Sequence, residues 1–239
     1  MKRTPTFVEG LDEILQGGIP SGSLVLVTGS PGTMKTSLAF SVLHQNAVRG
    51  ERSLYVTLEQ SRDSLLAQAG SMGLDVDETA ENLSVLDLAG LRRKFGNLKE
   101  QGWPWVDLLK MYAKGLKTSF DYHLLALDSL DALEMLAGFT NVRRELFDLI
   151  HWFRGLDATL LIVAESSRVP MGDGERAPSY AGHKEEYLAD GILHLRKARQ
   201  GDFGVQRQLR VVKMRGTNHE MSYYALLYEN GFQLRPLLA

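Results

Sequence analysis

The stretch from Leu24 to Leu38, Leu-Val-Leu-Val-Thr-Gly-Ser-Pro-Gly-Thr-Met-Lys-Thr-Ser-Leu, constrains this chain more than any other. Val25 to Thr28 is a short, bounded, β-branched run of the kind that forms a buried strand. From Thr36 onward, Leu38, Ala39, Val42 and Leu43 recur at helical spacing, so the glycine-bearing turn between them lies where a helix begins. A helix N-terminus offers unpaired amides and the positive end of the peptide dipole, which suits an anion. Read as a phosphate-binding loop, the turn makes Ser30, Pro31, Gly32, Thr33, Met34, Lys35, Thr36 and Ser37 the candidate nucleotide contacts. The amides from Gly32 to Thr36 would wrap a β-phosphate, Lys35 would neutralise the γ side, and the Thr36 hydroxyl would hold Mg²⁺. The expected ligands are therefore ATP or ADP with Mg²⁺.

One residue departs from the pattern G-x-x-x-x-G-K-[ST]. Gly29, Lys35 and Thr36 fit, but Met34 stands where the second glycine belongs. A Cβ there crowds the space nearest the phosphates unless φ is negative and the side chain turns outward, with Gly32 supplying a left-handed joint instead.

At 239 residues, the chain is long enough for one large α/β domain, expected to span 1–239. The longest apolar region, Leu124 to Ala137, is interrupted by Asp128, Asp131 and Glu134, which argues against a membrane span. Met1-Lys2-Arg3-Thr4-Pro5 has no apolar segment behind its basic residues, so no secretory signal is expected. The absence of cysteine excludes disulfides and thiolate metal sites and suits a cytoplasmic location. A net charge of −2 gives no general affinity for nucleic acid. The six histidines lack metal-ligand spacing, and no serine lies in a G-x-S-x-G turn.

Further strands are expected over Ser53 to Leu58, Leu83 to Leu88, Tyr122 to Leu127 and Thr159 to Ala164. Helices are expected over Ser61 to Met72 with Ser61 as cap, from Val106, and over Asn141 to Phe153. In open α/β sheets, ligands sit at the C-terminal ends of strands, where Glu59-Gln60, Asp128-Ser129 and Glu165-Ser166-Ser167 fall. Asp128 after an apolar strand fits the second nucleotide motif, which presents one carboxylate to the Mg²⁺ shell; the competing reading makes Asp128 the cap of the next helix. Arg92-Arg93-Lys94, Lys99 and Trp103-Pro104-Trp105 could grip single-stranded nucleic acid, but such tryptophans more often anchor a helix to a core. Arg168 to His183 is expected to be a long polar loop. An antiparallel hairpin follows, Ile192 to Lys197 and Gln208 to Met214, and then strands over Tyr223 to Leu227 and Phe232 to Leu234.

Three segments carry a family resemblance. They are Gly10-Leu11-Asp12-Glu13-Ile14-Leu15 with Gly17-Gly18-Ile19-Pro20 leading into the loop, Glu186 to Ile192, and Lys213-Met214-Arg215-Gly216-Thr217-Asn218-His219. Together with the loop they resemble KaiC-like ATPases of the RecA superfamily. The resemblance implies a mainly parallel sheet flanked by helices, with a C-terminal antiparallel hairpin extension and ATP sites between subunits of a hexameric ring. It implies Glu59 as the general base, although relatives often carry a second glutamate where this chain has Gln60. It also implies that Ser166 or Ser167 senses the γ-phosphate, and that Lys213 and Arg215 reach the γ-phosphate held by a neighbouring subunit. Residues two apart on a strand point the same way, so both cations could face one anion. The activity so implied is Mg²⁺-dependent ATP hydrolysis in a regulatory or signalling role; circadian function is not carried over with the resemblance. Two other readings stay open: a recombinase-related DNA-binding ATPase, and a nucleotide-bound scaffold with little turnover.

Overall fold

The structure is a computed structural model that describes residues 1–88, 90–91, 104–170, 176–179, 185–200 and 204–237. Its centre is a nine-stranded sheet. Five parallel strands carry most of it: β3 (Leu24–Gly29), β4 (Ser53–Thr57), β5 (Leu83–Asp87), β6 (Leu124–Asp128) and β7 (Thr159–Glu165). With β10 (Gly191–Gln200), also parallel to β3, they run in the order β5-β4-β6-β7-β3-β10. The antiparallel strands β11 (Gly204–Met214), β12 (Tyr224–Tyr228) and β13 (Phe232–Pro236) extend the sheet beyond β10. Two small ribbons stand apart, β1 (Arg3–Thr4) with β2 (Ile19–Pro20), and β8 (Ser167–Pro170) with β9 (Arg176–Ser179).

The central strands read as unbroken apolar runs because both of their faces are covered. Leu24, Leu26, Leu125, Leu127, Leu160 and Ile162 turn to one face. There they meet α4 (Trp105–Phe120), α5 (Leu130–Ala137) and α6 (Val142–Arg154) through Leu109, Leu133, Leu149 and Phe153. The alternate residues Val25, Val27, Leu124, Ala126, Leu161 and Val163 face α1 (Leu11–Ile14), α2 (Lys35–Val48) and α3 (Arg62–Ser71) through Leu11, Leu38, Leu43 and Leu65. The period of two along each strand thus divides the core into two layers.

Most expected elements are present, and the differences have physical causes. The cap of α5 is Ser129, whose hydroxyl accepts from the Ala132 amide, so Asp128 is spared that duty. Trp105 is a core anchor at 4% exposure, whereas Arg92, Arg93, Lys94, Lys99 and Trp103 lie outside the described residues. The expected loop from Arg168 to His183 is partly the β8–β9 ribbon, a backbone pairing that no apolar alternation announces; its remaining residues lie outside those described. Strand β11 stops at Met214, one residue short of Arg215, and a register shift opposite Ile192 and Leu193 bends its end.

Candidate functional site

The parallel register brings four strand tips to one edge, those of β4 and β6 two residues short of those of β3 and β7. Thr57 lies beside Asp128, Asp128 beside Val163, and Gly29 beside both Glu165 and Leu195. The turn after β3 therefore opens at the C-terminal edge of the sheet, flanked by the acids that end β6 and β7. A Cβ on Gly29 would run into the Leu195 carbonyl, so β10 can lie against the start of the loop only because that residue is glycine.

The loop takes two left-handed steps. Gly32 has φ 77°, as expected, but Met34 also has φ 74° and ψ 31°. Met34 does not take the negative φ that would relieve the crowding by its Cβ: the loop keeps a glycine-like backbone and accepts a Cβ in it. The Met34 side chain is partly buried and packs against the apolar cluster of the α2 layer. The Thr33 hydroxyl donates to the Ser30 carbonyl at 2.8 Å and closes the turn.

Lys35 opens α2 and folds back on the loop, with Nζ donating to the carbonyls of Gly29 (2.8 Å) and Ser30 (3.3 Å). Burial lowers its pKa, opposed by the surrounding carboxylates Glu165, Asp128, Asp131 and Glu59. The backbone amide of Ser166 also reaches the Gly29 carbonyl, at 3.3 Å, so the β7 tip touches the loop. The Ser167 side chain lies outside what is described.

Asp128 is 6% exposed. Burial pushes its carboxyl above the usual carboxylate range, against the hydrogen bond from Tyr55 and the nearby Thr36, both of which favour its charged form. Glu59, just past β4, accepts a short hydrogen bond from the Ser129 hydroxyl. Lys35, Thr36, Glu59 and Asp128 thus gather at one edge, although Glu59 and Asp128 are far apart in sequence. The Thr36 hydroxyl and the Asp128 carboxylate form a pair of hard oxygen donors, which suits Mg²⁺, an ion that takes one or two carboxylates and draws its remaining ligands from water and phosphate. Among the described residues no group of three His, Cys, Asp or Glu side chains could hold a metal by itself.

Beside this edge is an open cleft of about 470 Å³, lined by Gly32 to Ser37 together with Gln60, Gln68, Ser71, Met72 and Arg207. Arg207 was not legible as a site residue in the sequence. The hairpin of β10 and β11 runs past Gly29, and Arg207 Nε donates to the Gly32 carbonyl at 3.3 Å. Its cross-strand partner Lys197 stands over the same glycine, its ammonium 3.5 Å from where a Gly32 Cβ would lie. The hairpin's alternation was the available signal, but only its register against β3 shows where the two cations fall.

Lys213 and Arg215 are elsewhere. Met214 pairs with Gly191, which pairs with Val25, four residues before the end of β3 and about 13 Å from the loop at strand rise. Their alignment differs from the one expected, since Arg215 is off the strand. Both cations nonetheless turn toward the segment before β10. Lys213 Nζ donates to the carbonyls of Glu186 (3.1 Å) and Ala189 (2.7 Å), and Arg215 Nη1 to Asp190 Oδ1 at 3.0 Å. Burial, and then the neighbouring Arg215 charge, lower the Lys213 pKa.

With this arrangement in hand, comparison with known proteins is decisive at family level. The family model described as "ATPase: KaiC" matches residues 4–232. This chain belongs to the KaiC ATPase family. It is 28% identical over 244 residues to the circadian clock oscillator protein KaiC of Thermostichus vulcanus, covering 99% of this chain and 45% of that protein. It is 29% identical over 226 residues to the KaiC of Prochlorococcus marinus, covering 92% and 42%. The chain therefore spans less than half the length of these curated relatives. A solved structure of a KaiC-like protein from Pyrococcus horikoshii OT3 shares the fold, with a TM-score of 0.81 at 24% identity over 98% of this chain and 99% of that one. The RecA-like architecture read from the KaiC-like segments is the one observed. No helix among the described residues is long and apolar enough to cross a membrane.

Proposed function

We propose that this KaiC-family chain is a Mg²⁺-dependent ATPase whose nucleotide site is completed by a second copy of itself. The observation that carries the reading is a division of labour. Lys35, Thr36, Asp128 and Glu59 share one edge of the sheet, while Lys213 and Arg215 lie at the far end of β3, out of reach of their own loop. A cation pair too far away to act in cis is supplied where a neighbour's far end meets this loop, as in a closed ring.

In this reading Lys35 exchanges the carbonyls of Gly29 and Ser30 for phosphate oxygens. Thr36 and Asp128 would hold Mg²⁺, which would supply positive charge to offset that of the substrate's phosphates. Glu59 accepts the proton of the attacking water, and the Ser129 hydroxyl fixes the orientation of its carboxylate. Arg215 of the neighbour leaves Asp190 to stabilise charge on the transferring phosphoryl group.

The test is subunit mixing. Purified protein should release phosphate from ATP only with Mg²⁺, and Lys35→Ala and Arg215→Ala should each abolish release. Co-expressed, the two variants should recover about a quarter of the wild-type rate, the share of interfaces at which an intact loop faces an intact finger. No recovery from assembled mixed oligomers refutes action in trans. No nucleotide binding by wild type with Mg²⁺ refutes the whole reading.

A further inference from the structure

Tyr55 is completely buried, yet it carries a hydroxyl into the core. It lies in the middle of β4 opposite Ala126 of β6, and Thr57, two residues on, lies opposite Asp128. Two residues of strand rise about 6.6 Å, close to the length of a tyrosine side chain, so a ring lying along this face delivers its phenol to the level of Asp128. The small Ala126 side chain leaves room for the ring, and Phe40 of α2 covers it at 5.4 Å between centroids. The phenol donates to Asp128 Oδ2 at 2.6 Å. Thr36, at the start of α2, is near enough to the same carboxylate to favour its charged form.

A phenylalanine would fill this space equally well, so packing does not account for the hydroxyl. A buried hydroxyl without a partner is costly, and here its partner is the acid that ends β6. We propose that Tyr55 is a positioning residue: its phenol holds the Asp128 carboxylate in the one orientation that presents its remaining lone pairs to Mg²⁺ beside Thr36. The inference rests on the assignment of Asp128 and Thr36 to the metal made above. Groups that orient a metal's ligand matter for affinity almost as much as the ligand itself, typically by about 10-fold or more.

The experiment measures the affinity of ADP for the full chain by calorimetry, with and without Mg²⁺, and takes the ratio of the two. Tyr55→Phe should reduce the Mg²⁺-dependent gain by about 10-fold and leave the Mg²⁺-free affinity within twofold of wild type. Tyr55→Leu, which also removes the ring, should show the same loss of Mg²⁺ gain. If packing were the role, Tyr55→Leu would do markedly worse than Tyr55→Phe, and both would weaken binding without Mg²⁺ as well; that result overturns the proposal. In an Asp128→Asn background the effect of Tyr55→Phe should vanish. A full Mg²⁺ gain in Asp128→Asn refutes the metal assignment itself. A lost gain in Asp128→Asn but not in Tyr55→Phe refutes only the role given to Tyr55.

Discussion

Met34 is the residue at which local preference and the fold conflict. A left-handed conformation costs a residue with a Cβ about 1–2 kcal/mol relative to glycine. Met34 accepts that cost at the entry to α2, offset by contacts with the apolar cluster on that side. The usual ranking of alanine over glycine at a helix should therefore invert here. Met34→Gly should unfold at a higher temperature than Met34→Ala, by an amount equivalent to about 1 kcal/mol. Thermal melts of the two variants check this, and the ordinary ranking would show that the loop is not held left-handed in solution. The same backbone explains how the loop keeps its course without the usual second glycine.

Among the elements, the junction before β10 joins the two ends of the proposed mechanism. Asp190 accepts from the Leu24 amide at 3.1 Å and from Arg154 of α6 and Arg215 at 3.0 Å. One carboxylate thus ties the start of β3, the helix α6 and the end of β11 together. Burial opposes its charge, but the Leu24 amide and the two guanidiniums outweigh it and hold the carboxyl below its ordinary value of 3.8. Because its folded-state pKa is depressed, the stability it supplies is present above that ordinary value and is lost as pH falls through the depressed one. Asp190→Asn should cost about 2 kcal/mol at neutral pH, and the gap from wild type should narrow in acid, as denaturant titrations at several pH values would read. A gap that stays constant into acid would mean that the charge of Asp190 is not what holds the junction.

At the scale of the molecule, a single sheet separates two apolar layers that share every central strand. Leu133 lies in the layer of α4 to α6 and Phe40 in that of α1 to α3, both essentially buried. Since neither layer can open without exposing the other side of the same strands, Leu133→Ala and Phe40→Ala should each lower one common unfolding transition. The expected cost is about 3 kcal/mol apiece. Two separable transitions in either variant, seen by calorimetry, would show that the layers melt independently. The same sheet fixes the distance between the loop and Lys213 and Arg215, the distance on which the proposal of a second copy rests.

The sequence by itself determined what local pattern can encode. The β-branched run into Gly29, the helical spacing after Thr36, the acids at strand ends and the Ser61 cap are all consequences of periodicity and end chemistry within a few residues. The motifs shared with KaiC-like proteins carried the architecture as well, because that family's segments run nearly the whole chain. Only the tertiary structure decided what depends on register between distant strands. It set Tyr55 against Asp128, Ser129 rather than Asp128 as the cap of α5 and holding Glu59, and Arg207 over Gly32. A hydrogen bond across 73 residues leaves no periodic trace in the chain, because it exists only once β4 and β6 lie side by side. The strain at Met34 was hidden for a related reason: its compensation comes from packing, and packing is a property of the assembled layers.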